Sequence, residues 1–262
     1  VEYLGYPGTT GAAYIDYILA DAYCLPPQQE AFYSEKIVRL PGCFFPADSS
    51  GRPLSPTRTR RDEGLPEDGF VFCCFNSSHK ITPAVFDIWM PLLQATANSV
   101  LWLAATNPVA RANLWAEAVA RGVDPERLIF AERVDRTTHL GRIGLADLFL
   151  DTLPYNAHAT CSDALGAGLP LLSCSGQSFA ARIAGSMLSA VGAQDLIVAD
   201  LAAYEALALD LARDRQRLVA LRGKVAAGRG ALFAMDRLTA ALEAAYESMA
   251  ERRAKGQNSA SF

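Results

Sequence analysis

Apolar residues in this chain fall in short continuous runs, and between the runs their spacing changes to that of an amphipathic helix. The run GFVFCCF (69–75) has no polar alternation and is followed by TPAVFDIWMPLLQAT (82–96), where Thr82 stands as a cap and Pro83 takes the first helical position. The order then repeats: strand 99–105, helix 108–123, strand 127–132, a short basic helix near 137–144, strand 146–152, helix from about 160 to 168 and strand 170–175. Helix 178–193, strand 195–199 and two further helical stretches complete it, the last over 238–256. Strands without alternation are buried on both faces, and strand–helix alternation with short links predicts an α/β fold with a parallel, doubly wound sheet.

The ends of the chain differ from this pattern. Residues 1–21 read as a strand end, a Gly-rich turn and then a helix or strand, and residues 47–69 are rich in Pro, Ser, Gly and charge, as an exposed linker is. The first 45 residues therefore read as the tail of a preceding domain, and GQNSASF at the other end as a disordered tail. The chain begins at Val1 inside an apolar segment, which suggests a piece of a longer protein.

Composition narrows the function classes. The 262 residues, 51% hydrophobic, suffice for one large domain or one and a half smaller ones. A formal net charge of -4 argues against a nucleic-acid scaffold, which wants a basic excess. No apolar run reaches membrane-spanning length, and no signal peptide is read. The six cysteines form no CxxC pair and the three histidines are poorly spaced, so reduced thiols of a cytoplasmic protein are expected and a metal cage is not.

Three polar clusters follow strand ends, where open parallel sheets bind ligands. In DTLPYNAHATCSDALGAGLP (151–170), residues His158 to Thr160 open a helix whose free N–H groups and dipole favour an anion. Asp163, one turn on, is placed to accept from ribose hydroxyls; ordinary capping by Thr160, with Asp163 complementing the dipole, reads the same residues equally well. In CFNSSHKITP (74–83), Lys80 has the reach for a diphosphate and Asn76 and Ser77 add neutral donors, against the alternative of a solvated loop lysine. In RVDRTTHLGRIG (133–144), Arg136, His139 and Arg142 are spaced by three on one helical face, fit to stack on a base or simply to be solvated. GYPGTTG (5–11) lacks both GxGxxG and GxxxxGK[ST], and spacing alone makes it a plain turn.

Taken together, LGYPGTTGAAYIDYILAD, YSEKIVRLPGCFF, FCCFNSSHKITP, RLIFAERV, GLADLFLDT and NAHATCSDALGAGLPLL resemble the C-terminal catalytic half of the O-linked N-acetylglucosamine transferases, over residues 4–249. The similarity is nearest to bacterial homologues. It implies a two-lobed GT-B glycosyltransferase, with residues 1–60 the tail of the preceding catalytic lobe and linker, 61–250 the Rossmann-like, UDP-sugar-binding lobe, and 251–262 a flexible tail. By motif, Lys80 meets the diphosphate and steadies the UDP leaving group, and the backbone at His158, Ala159 and Thr160 holds the phosphates. Asp163 takes the ribose, while Val134, Arg136, His139 and Arg142 surround the uracil. Leu4, Gly5 and Pro7 face the sugar and phosphates. The implied reaction is inverting, metal-independent transfer of GlcNAc from UDP-GlcNAc to protein Ser or Thr. Its implied partners are the acceptor protein, a first lobe and tetratricopeptide repeats, with no nucleic acid or membrane. No catalytic base is evident in the segment.

Departures from the family pattern bear on the donor sugar. Ser77 stands where animal members have Gln, Arg136 where they have Lys and Ala159 where they have Thr, and Tyr155 is bulkier than its counterpart. Two competing readings stay open: a Spindly-like O-fucosyltransferase using GDP-fucose, and a non-catalytic nucleotide-binding lobe serving protein interaction. Retention of Lys80 speaks against the second, and the missing GxGxxG against a Rossmann oxidoreductase.

Overall fold

The computed structural model describes residues 1–48, 58–105 and 107–262. Its centre is a six-stranded, wholly parallel sheet of β3 (Val71–Cys74), β4 (Val100–Ala104), β5 (Leu128–Ala131), β6 (Leu148–Leu150), β7 (Leu171–Cys174) and β8 (Ile197–Val198), in the order β5-β4-β3-β6-β7-β8. This is the doubly wound arrangement, and chain direction across the sheet reverses between β3 and β6. Side chains on both faces of β3 and β6 are buried, with Phe72 paired to Leu148 and Cys73 to Phe149, so the sheet has no wet face at its middle.

Helices cover it as the apolar spacing requires. α1 (Pro83–Ala95) starts where the Thr82 hydroxyl accepts from Val85 N, and it buries Phe86, Trp89, Met90 and Leu93. α2 (Pro108–Ala120) is capped by Asn107, α3 (Arg136–Arg142) by Asp135 and α6 (Leu201–Arg213) by Asp200. α4 (Ala159–Gly166), α5 (Ile183–Ala190) and α7 (Arg215–Leu232) pack on one another, and α8 (Met235–Ala254) crosses back to the N-terminal region. Among the described residues no helix is long and apolar enough to cross a membrane.

Four features depart from the sequence expectation. The expected helix 178–193 is broken at Arg182, whose guanidinium donates to the carbonyls of Tyr23 and Gly176, leaving α5 to start at Ile183. Three helices, not two, follow β8, because the Asp214 carboxylate accepts from Arg217 N and starts a new helix there. Of the expected linker, 49–57 lies outside the described residues, but 58–68 is docked. Arg60 pairs with Asp147 at 2.7 Å and donates to the carbonyls of Leu145 and Gly69. Finally, the expected free tail ends in an ordered contact: Arg39 N donates to Phe262 O, Phe262 N to Ile37 O and Ile37 N to the Ser261 hydroxyl.

The edge that this tail covers belongs to a separate two-stranded parallel sheet, β1 (Tyr17–Asp21) with β2 (Lys36–Leu40). Asp21, 1% exposed, joins this sheet to the main body: its carboxylate accepts from Ser186 Oγ on α5 and from the backbone N of Tyr23, Cys24 and Phe44.

α7 contains a test of how closely its neighbours approach. A Cβ on Gly228 would stand 1.9 Å from Val191 O, whereas nothing lies within 4 Å of one on Gly223 or Gly230. Gly228→Ala is expected to destabilise by about 1–3 kcal/mol through overpacking against backbone. Gly223→Ala and Gly230→Ala are expected to stabilise by up to about 1 kcal/mol through helix propensity. Urea-unfolding midpoints of the three variants check the opposite signs.

Candidate functional site

The carboxyl ends of β3 and β6 lie side by side at the reversal point, where a doubly wound sheet opens a crevice. β3 runs into Asn76 and Lys80, and β6 into Asp151 and the turn that leads to α4.

Asp151 organises that turn. It is 2% exposed and its carboxylate collects Ala157 N at 2.6 Å, Thr152 N at 2.8 Å, the Ser173 hydroxyl at 2.6 Å and Asn76 Nδ2 at 3.2 Å. Burial pushes its pKa up to about 6 against the pull of these donors. Asn76 is fully spent in the same net. Its amide N–H groups go to Asp151 and to Thr152 Oγ1, and its oxygen accepts from Thr160 Oγ1. The sequence expectation that Asn76 offers donors to a ligand is therefore replaced by a bracing role. Ser77 beside it is exposed.

Lys80 is half-buried. Its ammonium donates to Asn156 O at 2.9 Å and sits 4.0 Å from the centre of the Tyr155 ring. No carboxylate lies within ion-pair distance of it among the described residues. Burial lowers its pKa, while the nearby Asp151 charge acts the other way. The His158 ring stacks on the same Tyr155 ring at 4.8 Å and 29°, and its Nε2 lies 3.5 Å from Ala180 O. Burial first, then the Lys80 charge, lower the His158 pKa to about 4, so the imidazole is neutral at pH 7.

His158 is also the first residue before α4, and no side chain caps that helix. Thr160, which the sequence offered as the cap, has turned its hydroxyl to Asn76 instead. The backbone N–H groups of Ala159 and Thr160 have no partner among the described residues, and Ala159 is exposed. An uncapped helix start with an unpaired ammonium close by attracts an anion.

The third cluster reaches the crevice from two strands further away. Its start, α3, follows β5, yet His139 lies edge-on to Phe75 at 5.1 Å, and Arg136 is 4.0 Å from Asp163, whose side chain is only 19% exposed. Burial, then Arg142, lowers the His139 pKa. Val134 is half-buried at the cluster's edge. Arg142 is not on the same open face: it is 3% exposed, donates to Glu63 Oε2 at 3.1 Å and to Glu132 O at 2.7 Å, and lies over the Trp102 ring at 5.7 Å. Spacing by three turns each successive side chain further round the helix, and by the third it points inward.

On the other side, the turn at the chain start closes the crevice. Leu4, Gly5, Tyr6 and Pro7 line a cavity of about 100 Å³ together with Phe44, Phe179, Tyr155 and His158. A positive φ of 64° at Leu4 bends the chain there. Leu4, Gly5 and Pro7 thus meet His158 across this cavity, although up to 154 residues separate them in sequence, and Lys80 lies against the Tyr155 ring that also lines it. Sequence reasoning missed Asp151, whose one signal was a carboxylate closing an otherwise apolar strand.

The same architecture occurs in a Thermobaculum terrenum O-GlcNAc transferase mutant, with TM-score 0.82 and 32% identity over 94% of this chain and 47% of that one. It occurs also in WaaG, a glycosyltransferase involved in lipopolysaccharide biosynthesis, with TM-score 0.60 at 16% identity, over 91% of this chain and 64% of that one; this second likeness concerns the fold alone. The fold is that of the GT-B glycosyltransferases. Residues 1–52 and 53–242 match Glycosyl transferase family 41, and the chain belongs to that family. A protein of Arabidopsis thaliana named as a probable UDP-N-acetylglucosamine–peptide N-acetylglucosaminyltransferase, SEC, is 38% identical over the whole chain; one of rice with the same activity in its name, SPINDLY, is 32% identical over 98% of it. The chain spans 28% of the length of each.

The two shifted groups act oppositely on stability. His158 has its pKa lowered from 6.5 to about 4, so the unfolded chain binds more protons in that window and this contribution is lost as pH falls through it. Asp151 has its pKa raised from 3.8 to about 6, so the folded chain binds more protons there and its contribution is lost as pH rises. Asp151→Asn is therefore expected to show a steeper rise in urea midpoint between pH 4 and 6 than the parent. An NMR titration of the His158 ring is expected to show no inflection above about pH 5. A midpoint between 6 and 7 contradicts the burial argument.

Proposed function

We propose that this chain is the donor-binding lobe of a protein O-GlcNAc transferase, which moves N-acetylglucosamine from UDP-GlcNAc to Ser or Thr hydroxyls of acceptor proteins. The observation that carries this reading is Lys80. It is a half-buried ammonium with no carboxylate partner among the described residues, beside the uncapped start of α4, at the reversal point of a family 41 fold. A diphosphate supplies the charge that this arrangement lacks.

In the reaction, the acceptor oxygen attacks the anomeric carbon as the bond from that carbon to the UDP oxygen breaks. The hydroxyl proton leaves to a base, and the electron pair departs with UDP. Negative charge grows on the diphosphate, and donors fixed in advance lower the barrier. Lys80 Nζ and the N–H groups of Ala159 and Thr160 are such donors, so the reading includes no metal. The neutral His158 adds a hydrogen-bonding ring without competing with Lys80 for the anion. Asp163 serves the ribose hydroxyls, Arg136, His139 and the Val134 backbone surround the uracil, and Leu4, Gly5 and Pro7 face the sugar and phosphates. Arg142 supports this base site from beneath. The acceptor protein, a first catalytic lobe and tetratricopeptide repeats are the partners in this reading, and six free thiols suit a reducing cytoplasm.

Calorimetric titration of the protein, with its adjoining sequence in place, tests the proposal. UDP and UDP-GlcNAc are expected to bind at micromolar level, about -8 kcal/mol. Lys80→Ala is expected to weaken both by about tenfold to a hundredfold, the range of a lost charged hydrogen bond of about 1.5–3 kcal/mol. Asp163→Ala weakens both in the same direction. Preference for GDP-fucose moves the protein to a fucosyl donor, and no nucleotide binding overturns the reading.

A further inference from the structure

Glu35 stands just before β2, outside every cluster that the crevice uses, yet it is 3% exposed. Its carboxylate is met by four neutral donors: Thr9 Oγ1 at 2.6 Å, Thr10 N at 2.7 Å, Thr10 Oγ1 at 2.5 Å and Ser34 Oγ at 3.1 Å. No cation pairs with it among the described residues. Burial acts to raise its pKa, and the bonds from Thr10 and Thr9 outweigh burial and hold it down to about 2, so it remains a carboxylate.

A buried charge without a counter-ion is costly unless its hydrogen bonds are complete. Here three of the four come from the turn at the chain start, not from the strand that Glu35 precedes. Ser34, next to Glu35, adds weaker holds on the same turn, its N donating to Thr9 Oγ1 at 3.3 Å and its hydroxyl lying 3.1 Å from that oxygen. At the turn's near end, Tyr6 N donates to Glu2 Oε1 at 2.7 Å; at its far end, Thr9 and Thr10 are held by Glu35. The stretch between them, Tyr6-Pro7-Gly8, is bounded by the two carboxylates, and Tyr6 and Pro7 line the small cavity opposite Tyr155 and His158. Tyr6 itself is 61% exposed, so packing does not locate it.

We propose that Glu35 is a positioning residue, which by gripping Thr9 and Thr10 sets the Leu4–Pro7 segment against Tyr155 and His158 and so governs the sugar end of the donor more than its nucleotide end. This rests on the donor-binding reading above. The physical basis is separation of duties: Lys80 and α4 hold the diphosphate from the sheet side, and the turn faces Tyr155 and His158, which adjoin Lys80 and the start of α4, across the cavity. A displacement of about 1 Å in a group that orients a substrate costs up to about a hundredfold in rate.

The experiment compares Glu35→Ala and Glu35→Gln with the parent in the complete protein, reading UDP affinity, UDP-GlcNAc affinity and transfer to a Ser-containing acceptor peptide. Glu35→Ala is expected to keep UDP affinity within about twofold and to lose about tenfold or more in transfer rate, as misorientation does. Glu35→Gln keeps an acceptor for Thr10 N and is expected to recover part of that loss. Amide hydrogen exchange over residues 4–11 is expected to quicken in Glu35→Ala and not around α4. Should Glu35→Ala fail to fold, Thr10→Val removes one of the four bonds and is expected to shift transfer in the same direction, with UDP affinity kept. Unchanged transfer in a folded Glu35→Ala or Thr10→Val, or equal weakening of UDP and UDP-GlcNAc, overturns the proposal. A parent that binds no UDP instead sinks the donor-binding reading, so the two failures are distinguishable.

Discussion

The Asp151 carboxylate holds the functional end of this sheet together. It closes β6, and its four donors come from β7, from the loop after β3 and from the turn that leads into α4. Its own carbonyl accepts from the buried Tyr204 hydroxyl on α6, which ties the same point to the helical layer. Burying a carboxylate is costly, as its raised pKa records, and the cost is offset only while every donor stays in place. That requirement makes the turn 151–158 a single shape. The shape presents Asn156 O to Lys80 and the start of α4 to the crevice.

Around this anchor the electrostatics are one-sided. The Lys80 ammonium rests on a carbonyl and a ring face, His158 is kept neutral by burial and by Lys80, and α4 begins with free N–H groups. A carboxylate in contact with Lys80 would quench this field. Asp151 is near enough to act on Lys80 through space, but its oxygens are fully engaged with neutral donors. The result is a preorganised positive corner in a partly desolvated crevice, where a given charge acts more strongly than in water. The opposing wall is built by different means, a turn strung between the Glu2 and Glu35 carboxylates. One wall is set by the sheet and the other by side-chain hydrogen bonds, so the two respond separately to substitution.

Much of this was legible from residue order, and some was not. Continuous apolar runs and the helical spacing between them are local properties, and they were enough for a parallel doubly wound sheet and for placing polar clusters at its strand ends. Lys80 and the His158–Thr160 helix start were readable because their chemistry comes from residue type and from adjacency to a strand. Which way a polar side chain turns was not readable. Asn76 and Arg142 look like ligand-facing groups in sequence, but Asn76 is consumed by Asp151, Thr152 and Thr160, and Arg142 by Glu63 and Glu132. Arg60, in what reads as a linker, is docked on Asp147, and the tail pairs with β2.

Sequence alone thus determined the element types, the layer order and the charged residue at the crevice, since these follow from short-range periodicity and backbone preference. Only the tertiary structure decided which donors and acceptors are used up internally and which remain for a ligand. The partners of Asn76 lie 75 to 84 residues away, those of Glu35 as far as 26, and the turn that faces His158 starts at residue 4. Each hydrogen-bonding group chooses among competitors that the fold brings within reach, and a buried polar atom must find one. That choice is made in space, so no local pattern along the chain encodes it.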